Sequence, residues 1–295
     1  MSHRWGIDLG GTKIEVAVLP EEGGDPVFRR RIPTEADRGY EAILNNVAGL
    51  VEAAGYELGT KPERVGIGTP GTTDPQTGLL KNSNTQCLNG QPFRDDLASR
   101  LGVEVRAAND ANCFALAEAT LGAAKGYPTV FGIIMGTGVG GGLVVNGQVL
   151  EGAHGIAGEW GHNLLDPAGN YGYSGHRGIV ETVLSGPALE RFYEECTGTK
   201  RRLPEIVERA KEDELAAIRT LDRLYTMFGK AVAQVVNLFD PHAIVLGGGV
   251  GNVPGLAERG KKEAAKWVFN PRFETPLLLP TLGDSAGVFG AAMLV

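Results

Sequence analysis

Two stretches of this chain repeat one local pattern. Gly6-Ile7-Asp8-Leu9-Gly10 and Gly132-Ile133-Ile134-Met135-Gly136 each read as an apolar strand entering a turn of glycine and threonine, and a second strand follows each turn. The offset is 126 residues, 132 minus 6. A strand, a tight turn and a second strand, used twice at that separation, predict a duplicated architecture. Each half would contribute one glycine turn to a shared cleft. A length of 295 residues fits two domains of roughly 100–200 residues.

The rest of the chain reads as strands alternating with helices, the mark of an α/β protein. Strands are expected at 5–9, 14–19, 27–32, 65–69, 103–107, 130–135, 143–145, 243–246 and 277–279. Apolar spacing predicts helices at 40–54, 93–101, 110–121, 213–240 and 254–268. A closing helix is expected at 284–294, capped by Asp284. Asn146-Gly147 marks a hairpin, and Pro241 stops the longest helix.

Glycine is the outlier in composition. The 44 glycines are about twice the usual ~7% and cluster between apolar runs, as tight turns or close backbone approach to a ligand require. Lys+Arg 28 against Asp+Glu 35 gives a net charge of −7. No basic block is longer than Lys200-Arg201-Arg202, so neither nucleic acid nor an anionic membrane surface is an expected partner. Cys87, Cys113 and Cys196 are odd in number and form no CxxC pair, which suits a reducing compartment. No apolar run approaches the ~20 residues of a membrane span. Asp8 and Glu15 interrupt any signal-peptide core. The expected location is cytoplasmic.

Several glycine-rich motifs carry chemistry. Asp8-Leu9-Gly10-Gly11-Thr12-Lys13 is a hairpin tip whose N–H groups and hydroxyl can hold a phosphate. Asp8 ends an apolar strand, where a buried carboxylate needs donors or a cation such as hydrated Mg²⁺. Gly136-Thr137-Gly138-Val139-Gly140-Gly141-Gly142 matches G-x-G-x-x-G. That fingerprint needs a following helix, and here a strand follows, so a dehydrogenase is rejected in favour of a second phosphate-gripping turn. No P-loop pattern exists. Asn109-Asp110-Ala111-Asn112 lies at a strand-to-helix junction, as a helix cap or as a proton acceptor for a substrate hydroxyl. Gly158-Glu159-Trp160-Gly161-His162 and, further on, Glu181 supply groups able to bind several hydroxyls. Gly247-Gly248-Gly249 permits a ring or ribose to lie against backbone.

Taken together, the chain resembles the ROK family of sugar kinases, within the actin–hexokinase–Hsp70 superfamily. The matching pieces run in order through nearly the whole chain: 6–13, Gly68-Thr69-Pro70-Gly71, 109–112, 136–142, Glu159-Trp160-Gly161-His162 and Leu246-Gly247-Gly248-Gly249. Lys81-Asn82-Ser83-Asn84 and 88–93 resemble bacterial ROK fructokinases. The 110–118 and 136–143 stretches resemble N-acetylglucosamine kinases about as well.

The resemblance implies two ribonuclease-H-like, actin-like ATPase domains around a central cleft. The first would be 1–108 joined by the closing helix 285–295, the second 109–284. It implies Asp110 as general base on the sugar, with Gly71, Asn84, Asn109, Glu159, His162 and Glu181 as further substrate contacts. Gly10, Gly11, Thr12, Lys13, Thr137 and Gly138 would hold ATP phosphates, Asp8 would bind Mg²⁺ through water, and Gly247, Gly248 and Gly249 would flank the adenosine. The expected function is ATP-dependent phosphorylation of a hexose of the fructose, glucose or mannose type at O6. An N-acetylhexosamine kinase, on N-acetylglucosamine or N-acetylmannosamine, is the alternative. A sugar-responsive regulator is the remote one, because only 1–4 precede the first strand and leave no helix-turn-helix. A homodimer is the family's usual assembly. Family members usually carry a structural zinc on the His of the Glu-x-Gly-His motif and three cysteines. The cysteine positions read Gly172, Ser174 and Ile179 here, so no structural zinc is expected, and Tyr171, Tyr173 and Ile179 would stabilise that loop by packing.

Overall fold

The computed structural model describes residues 3–295. By its contacts the chain divides into two compact units, one of residues 3–126, 142–157 and 281–295, the other of 127–141 and 158–280. The divide expected from the sequence lies at 108/109 and 284/285. The helix after residue 109 falls in the first unit because it packs on the closing helix.

The first unit opens with a meander: β1 (His3–Leu9), β2 (Lys13–Pro20) and β3 (Phe28–Pro33). Then come α1 (Tyr40–Leu58), β4 (Arg64–Thr69), the small pair β5 (Thr72–Thr73) and β6 (Leu80–Lys81), α2 (Phe93–Leu101), β7 (Glu104–Asn109) and α3 (Asp110–Thr120). The sheet order is β3-β2-β1-β4-β7, with β1, β4 and β7 parallel. Side chains alternate across each strand. Trp5, Ile7, Leu9, Ile14, Val16, Val65 and Ile67 form one face and share a core with Ile43, Val47 and Val51 of α1.

The middle of the other face of β1 and β4 is glycine, with Gly6 paired to Gly66 and Asp8 to Gly68. A Cβ on Gly6 would fall 2.2 Å from Val288 O, and one on Gly66 would fall 1.8 Å from Ala291 O. Both oxygens belong to the closing helix, α10 (Ala286–Ala292), whose backbone lies on the sheet backbone. The sequence predicts that helix at 284–294 with Asp284 as its cap. Instead a 3-10 turn, Gly283–Ser285, comes first, and no side chain caps the helix locally.

The rest of the chain adds β8 (Thr129–Met135), β9 (Val139–Val145), β10 (Gln148–Val149), α4 (Val180–Leu184), α5 (Gly186–Thr197), α6 (Leu203–Lys211) and α7 (Leu215–Phe239). It continues with β11 (Ala243–Gly247), α8 (Gly248–Gly251), α9 (Leu256–Ala264) and β12 (Leu277–Leu278). The second sheet order is β10-β9-β8-β11-β12, with β8, β11 and β12 parallel. It repeats the first topology, and β8 begins 126 residues after β1 (129 minus 3). The duplication read from two pentapeptides therefore extends to whole sheets. Asn146 and Gly147 take φ of 49° and 75°, as the expected hairpin turn demands. α7 is buried along Leu221, Leu224, Phe228, Val232, Val235 and Val236, and Asp240 ends it in the left-handed region. Among the described residues no helix is long and apolar enough to cross a membrane.

Candidate active site

Register assembles the first unit's polar edge. Asp8 pairs with Gly68, and Thr69 with Asn109. The C-terminal ends of β1, β4 and β7 therefore stand side by side, where open α/β sheets hold ligands. The β1–β2 hairpin ends at the same edge. Gly10 N–H donates to Lys13 O at 2.9 Å, and Gly11, Thr12 and Lys13 are exposed. Thr34 Oγ1 donates to Gly10 O at 2.7 Å and fixes the turn.

Asn109 is the N-cap of α3, its Oδ1 accepting the Ala111 N–H at 2.8 Å. Its side chain also hydrogen-bonds Asp110. Asp110 is the first residue of α3, and its own Oδ1 accepts the same N–H at 2.7 Å. Solvent reaches this carboxylate, yet the surrounding protein is dense. Desolvation pushes its pKa up, against the pull of the Ala111 N–H and Asn109. Of the two residues considered as helix caps, Asn109 holds the N-cap position, and the Asp110 carboxylate shares its N–H from the first residue of the helix.

Asp8 is lifted from 3.8 to about 6 by burial first, then by the charges of Asp110 and Glu15, with Lys13 and Arg31 pulling it back. Glu15 faces Asp8 across the hairpin. It is buried and held by Arg29 and by Arg31, whose Nε lies 2.7 Å from Oε2. A desolvated carboxylate with a second acid in electrostatic range suits a hydrated Mg²⁺, which is bound through carboxylates and keeps several waters. Gly71 takes φ 151°, and a Cβ there would sit 2.6 Å from Lys81 O. Asn84 is exposed on the next loop. Asn89 fixes that loop by pairing with both the N–H and the carbonyl of Ser83, at 2.8 and 2.9 Å.

The second unit holds the other candidates. Its glycine turn is closed by Gly136 N–H to Gly138 O at 2.9 Å. Glu181, in the first turn of α4, accepts the Val139 N–H at 3.0 Å. Trp160 is buried and donates Nε1–H to Gly140 O at 2.9 Å, while a Cβ on Gly161 would meet Val139 O at 2.1 Å. The 3-10 turn Trp160–His162 is thereby pinned to β9, with Glu159 and His162 on either side of the pin. His162 Nε2 lies 4.0 Å from Glu159 Oε2 and 3.4 Å from Tyr173 Oη, with the two rings edge to face at 5.8 Å. Glu181 and Glu159 both act electrostatically on Tyr173. Glu159 and Tyr173 therefore flank His162, with Glu181 within electrostatic range of the same tyrosine, a residue expected only to pack.

That assignment needs correction. Ile179 is buried at 2% exposure, but Tyr171 and Tyr173 are 71% and 77% exposed. The loop is closed by polar contacts instead. Arg177 donates to Gly169 O at 2.7 Å and to Ala168 O at 3.1 Å, and its guanidinium lies over the Tyr171 ring. Ser174 pairs with His176 at 3.3 Å.

A cavity of about 520 Å³ lies wholly within the second unit. Gly136, Thr137 and Gly249 line one side, and Leu203, Pro204 and Val207 of α6 another. Gly248 has φ 80°, and a Cβ there would fall 2.2 Å from Met135 O, whereas one on Gly249 would meet nothing within 4 Å. Gly248 is required by the turn, and Gly249 leaves the cavity wall flat. Of the three expected adenosine glycines Gly249 lines this cavity, whose far wall sets Leu203, Pro204 and Val207 beside the charged Arg202, Glu208 and Lys211. Sequence reasoning misses that wall because it places no helix between 186 and 211.

The sequence profile of the ROK family matches residues 4–295. The N-acetyl-D-glucosamine kinase of Haemophilus influenzae (strain 86-028NP) is 38% identical over 98% of each chain. The ROK hexokinase of Thermus thermophilus superposes with a TM-score of 0.89 at 34% identity, over 99% of this chain and 97% of that one. A ROK glucokinase from Streptomyces griseus, solved with glucose and AMPPNP, superposes with a TM-score of 0.80 at 30% identity, over 100% and 99% of the chains.

Proposed function

The chain belongs to the ROK family, and we propose that it is an ATP-dependent kinase of N-acetylhexosamines, with N-acetyl-D-glucosamine the first candidate and O6 the phosphorylated hydroxyl. The full-length likeness to N-acetyl-D-glucosamine kinases carries the choice of sugar. It reverses the order expected from the sequence, which puts an unsubstituted hexose first. The hexose reading stays second, supported by likeness to a hexokinase and a glucokinase.

In this reading Asp110 accepts the proton of the attacking hydroxyl, a contribution of about 10²–10⁴-fold. Asn109 holds that carboxylate in place through its cap and hydrogen bond. Glu159, His162 and Glu181 bind further sugar hydroxyls. The Gly10–Thr12 and Gly136–Gly138 turns offer N–H groups to the phosphates, and the cavity beside Gly249 receives the adenosine. Asp8 would hold a Mg²⁺ through water, and the ion would supply charge neutralisation on the transferring phosphoryl group when bound.

A coupled ADP-release assay with glucose, fructose, mannose, N-acetylglucosamine and N-acetylmannosamine tests this. The highest kcat/KM is expected on an N-acetylated sugar. A tenfold preference for glucose would establish the second reading, and no sugar-dependent ADP would overturn both.

A further inference from the structure

Glu118, in the last turn of α3, is fully buried, yet no step of the proposed reaction uses it. A buried carboxylate is costly unless donors meet it. Three backbone N–H groups do. Ala123 donates to Oε2 at 2.8 Å, Leu282 to Oε1 at 3.1 Å, and Thr281 to both oxygens at 3.1 and 3.2 Å. Gly122 makes room, since a Cβ there would fall 2.1 Å from Oε2.

The tethered segment gains its role from the helix it introduces. Residues 281 and 282 lead through Gly283–Ser285 into α10. A Cβ on Gly287 would lie 3.0 Å from Asp8 Oδ2, so the start of α10 is the surface against which the Asp8 carboxylate rests. At the other end of α3 stands Asp110. One helix thus carries Asp110 at its first residue and, at its last turn, the only side chain that bonds the backbone leading to Gly287 among the described hydrogen bonds.

We infer that Glu118 is a positioning residue: by tying residues 281 and 282 to α3 it sets Gly287 against Asp8, and so fixes the spacing of the two carboxylates, Asp8 and Asp110. The inference rests on the proposed roles of those two groups. It predicts a fault on the MgATP side of the reaction rather than the sugar side.

Glu118→Gln keeps length but turns an amide N–H₂ toward N–H donors. Assayed well below its melting transition, it should lose about tenfold in kcat and gain about fivefold in KM for MgATP, the scale that small misplacements of reacting groups produce. KM for the sugar should stay within twofold of the unmodified protein. Glu118→Asp should show the same split. Gly122→Ala, which displaces the carboxylate without removing it, should reproduce it if either Glu118 variant fails to fold. A folded Glu118→Gln or Gly122→Ala protein with unchanged kcat and MgATP KM, whatever its melting temperature, would overturn the inference. Asp8→Asn is the control: if its MgATP KM is unchanged, the reading of Asp8 fails independently of Glu118.

Discussion

Glu181 accepts a hydrogen bond from the Val139 backbone N–H at 3.0 Å, which fastens the first turn of α4 to the glycine turn that opens β9. The same oxygen lies where a side chain at residue 138 would be. The proposed sugar acceptor and the proposed phosphate turn are therefore one mechanical piece. Glu181→Gln keeps an acceptor for that N–H but loses the charge. It should retain its melting temperature and raise the sugar KM by about three- to tenfold, the share that charge adds to one hydrogen bond. Glu181→Ala should raise it further and lower thermal stability as well. A sugar KM unchanged in the alanine variant would remove Glu181 from the site.

Asp110→Asn tests the base. Asparagine preserves shape and an acceptor for the Ala111 N–H, so the α3 terminus should persist and the circular dichroism spectrum should be unchanged. Without a proton acceptor kcat should fall by at least ~10², with sugar KM changed little. Near-normal turnover would sink the assignment.

Asp8 ties activity to stability. Its carboxyl rises from 3.8 to about 6 on folding, burial leading and the charges of Asp110 and Glu15 following. The folded state then binds more protons than the unfolded one between those values. Stability therefore falls as pH climbs through that window and stays reduced above it. The penalty is at most about 3 kcal/mol, since each pH unit of the gap is worth about 1.4 kcal/mol, and water screens part of it. Asp8→Asn removes the charge. By scanning calorimetry it should melt higher than the unmodified protein at pH 8, with the gap closing toward pH 5. Mg²⁺ should stabilise the unmodified protein more than the variant. Should Asp8→Asn melt lower at pH 8, the carboxylate is better satisfied than burial and its neighbours imply.

Much of this is legible in the sequence because it is local. Strand alternation, the Asn146-Gly147 turn and the Asn109 cap each occupy a few adjacent residues, and all are present. The features that escape a sequence reading are non-local or ambiguous. Gly6 and Gly66 read only as positions within strands, but they admit the backbone of α10, more than 200 residues away in sequence. Asp284 looks like the cap of that helix, whereas the incoming N–H groups go to Glu118, 163 residues from Thr281. Gly186-Pro187 and Pro204 punctuate the chain like turns. They instead start α5 and α6, where proline in the first helical turn replaces an N–H that has no partner anyway. With those helices goes the far wall of the cavity.

The metal content of the loop after His162 depends on how it is closed. The resemblance puts three cysteine ligands at Gly172, Ser174 and Ile179, none of which is a thiolate here. A structural zinc needs four ligands in tetrahedral array. Each position has another use. Ile179 is buried and paired across the loop with Leu164, a Cβ on Gly172 would stand 3.0 Å from Ile179 Cδ1, and Ser174 meets His176. Arg177 supplies the cross-link, reaching the carbonyls of Ala168 and Gly169 in the turn on the opposite limb of the loop. Among the described contacts His162 meets the loop only through the Tyr173 ring and hydroxyl, and its other neighbour is Glu159. The purified protein should therefore contain no stoichiometric zinc by elemental analysis, and its activity should return fully after chelation once Mg²⁺ alone is restored. Arg177→Ala should loosen the loop and raise the sugar KM through His162 and Tyr173, with zinc unable to rescue it. One zinc per chain, or activity that zinc and not Mg²⁺ restores, would mean that the loop is closed by a metal and not by the arginine.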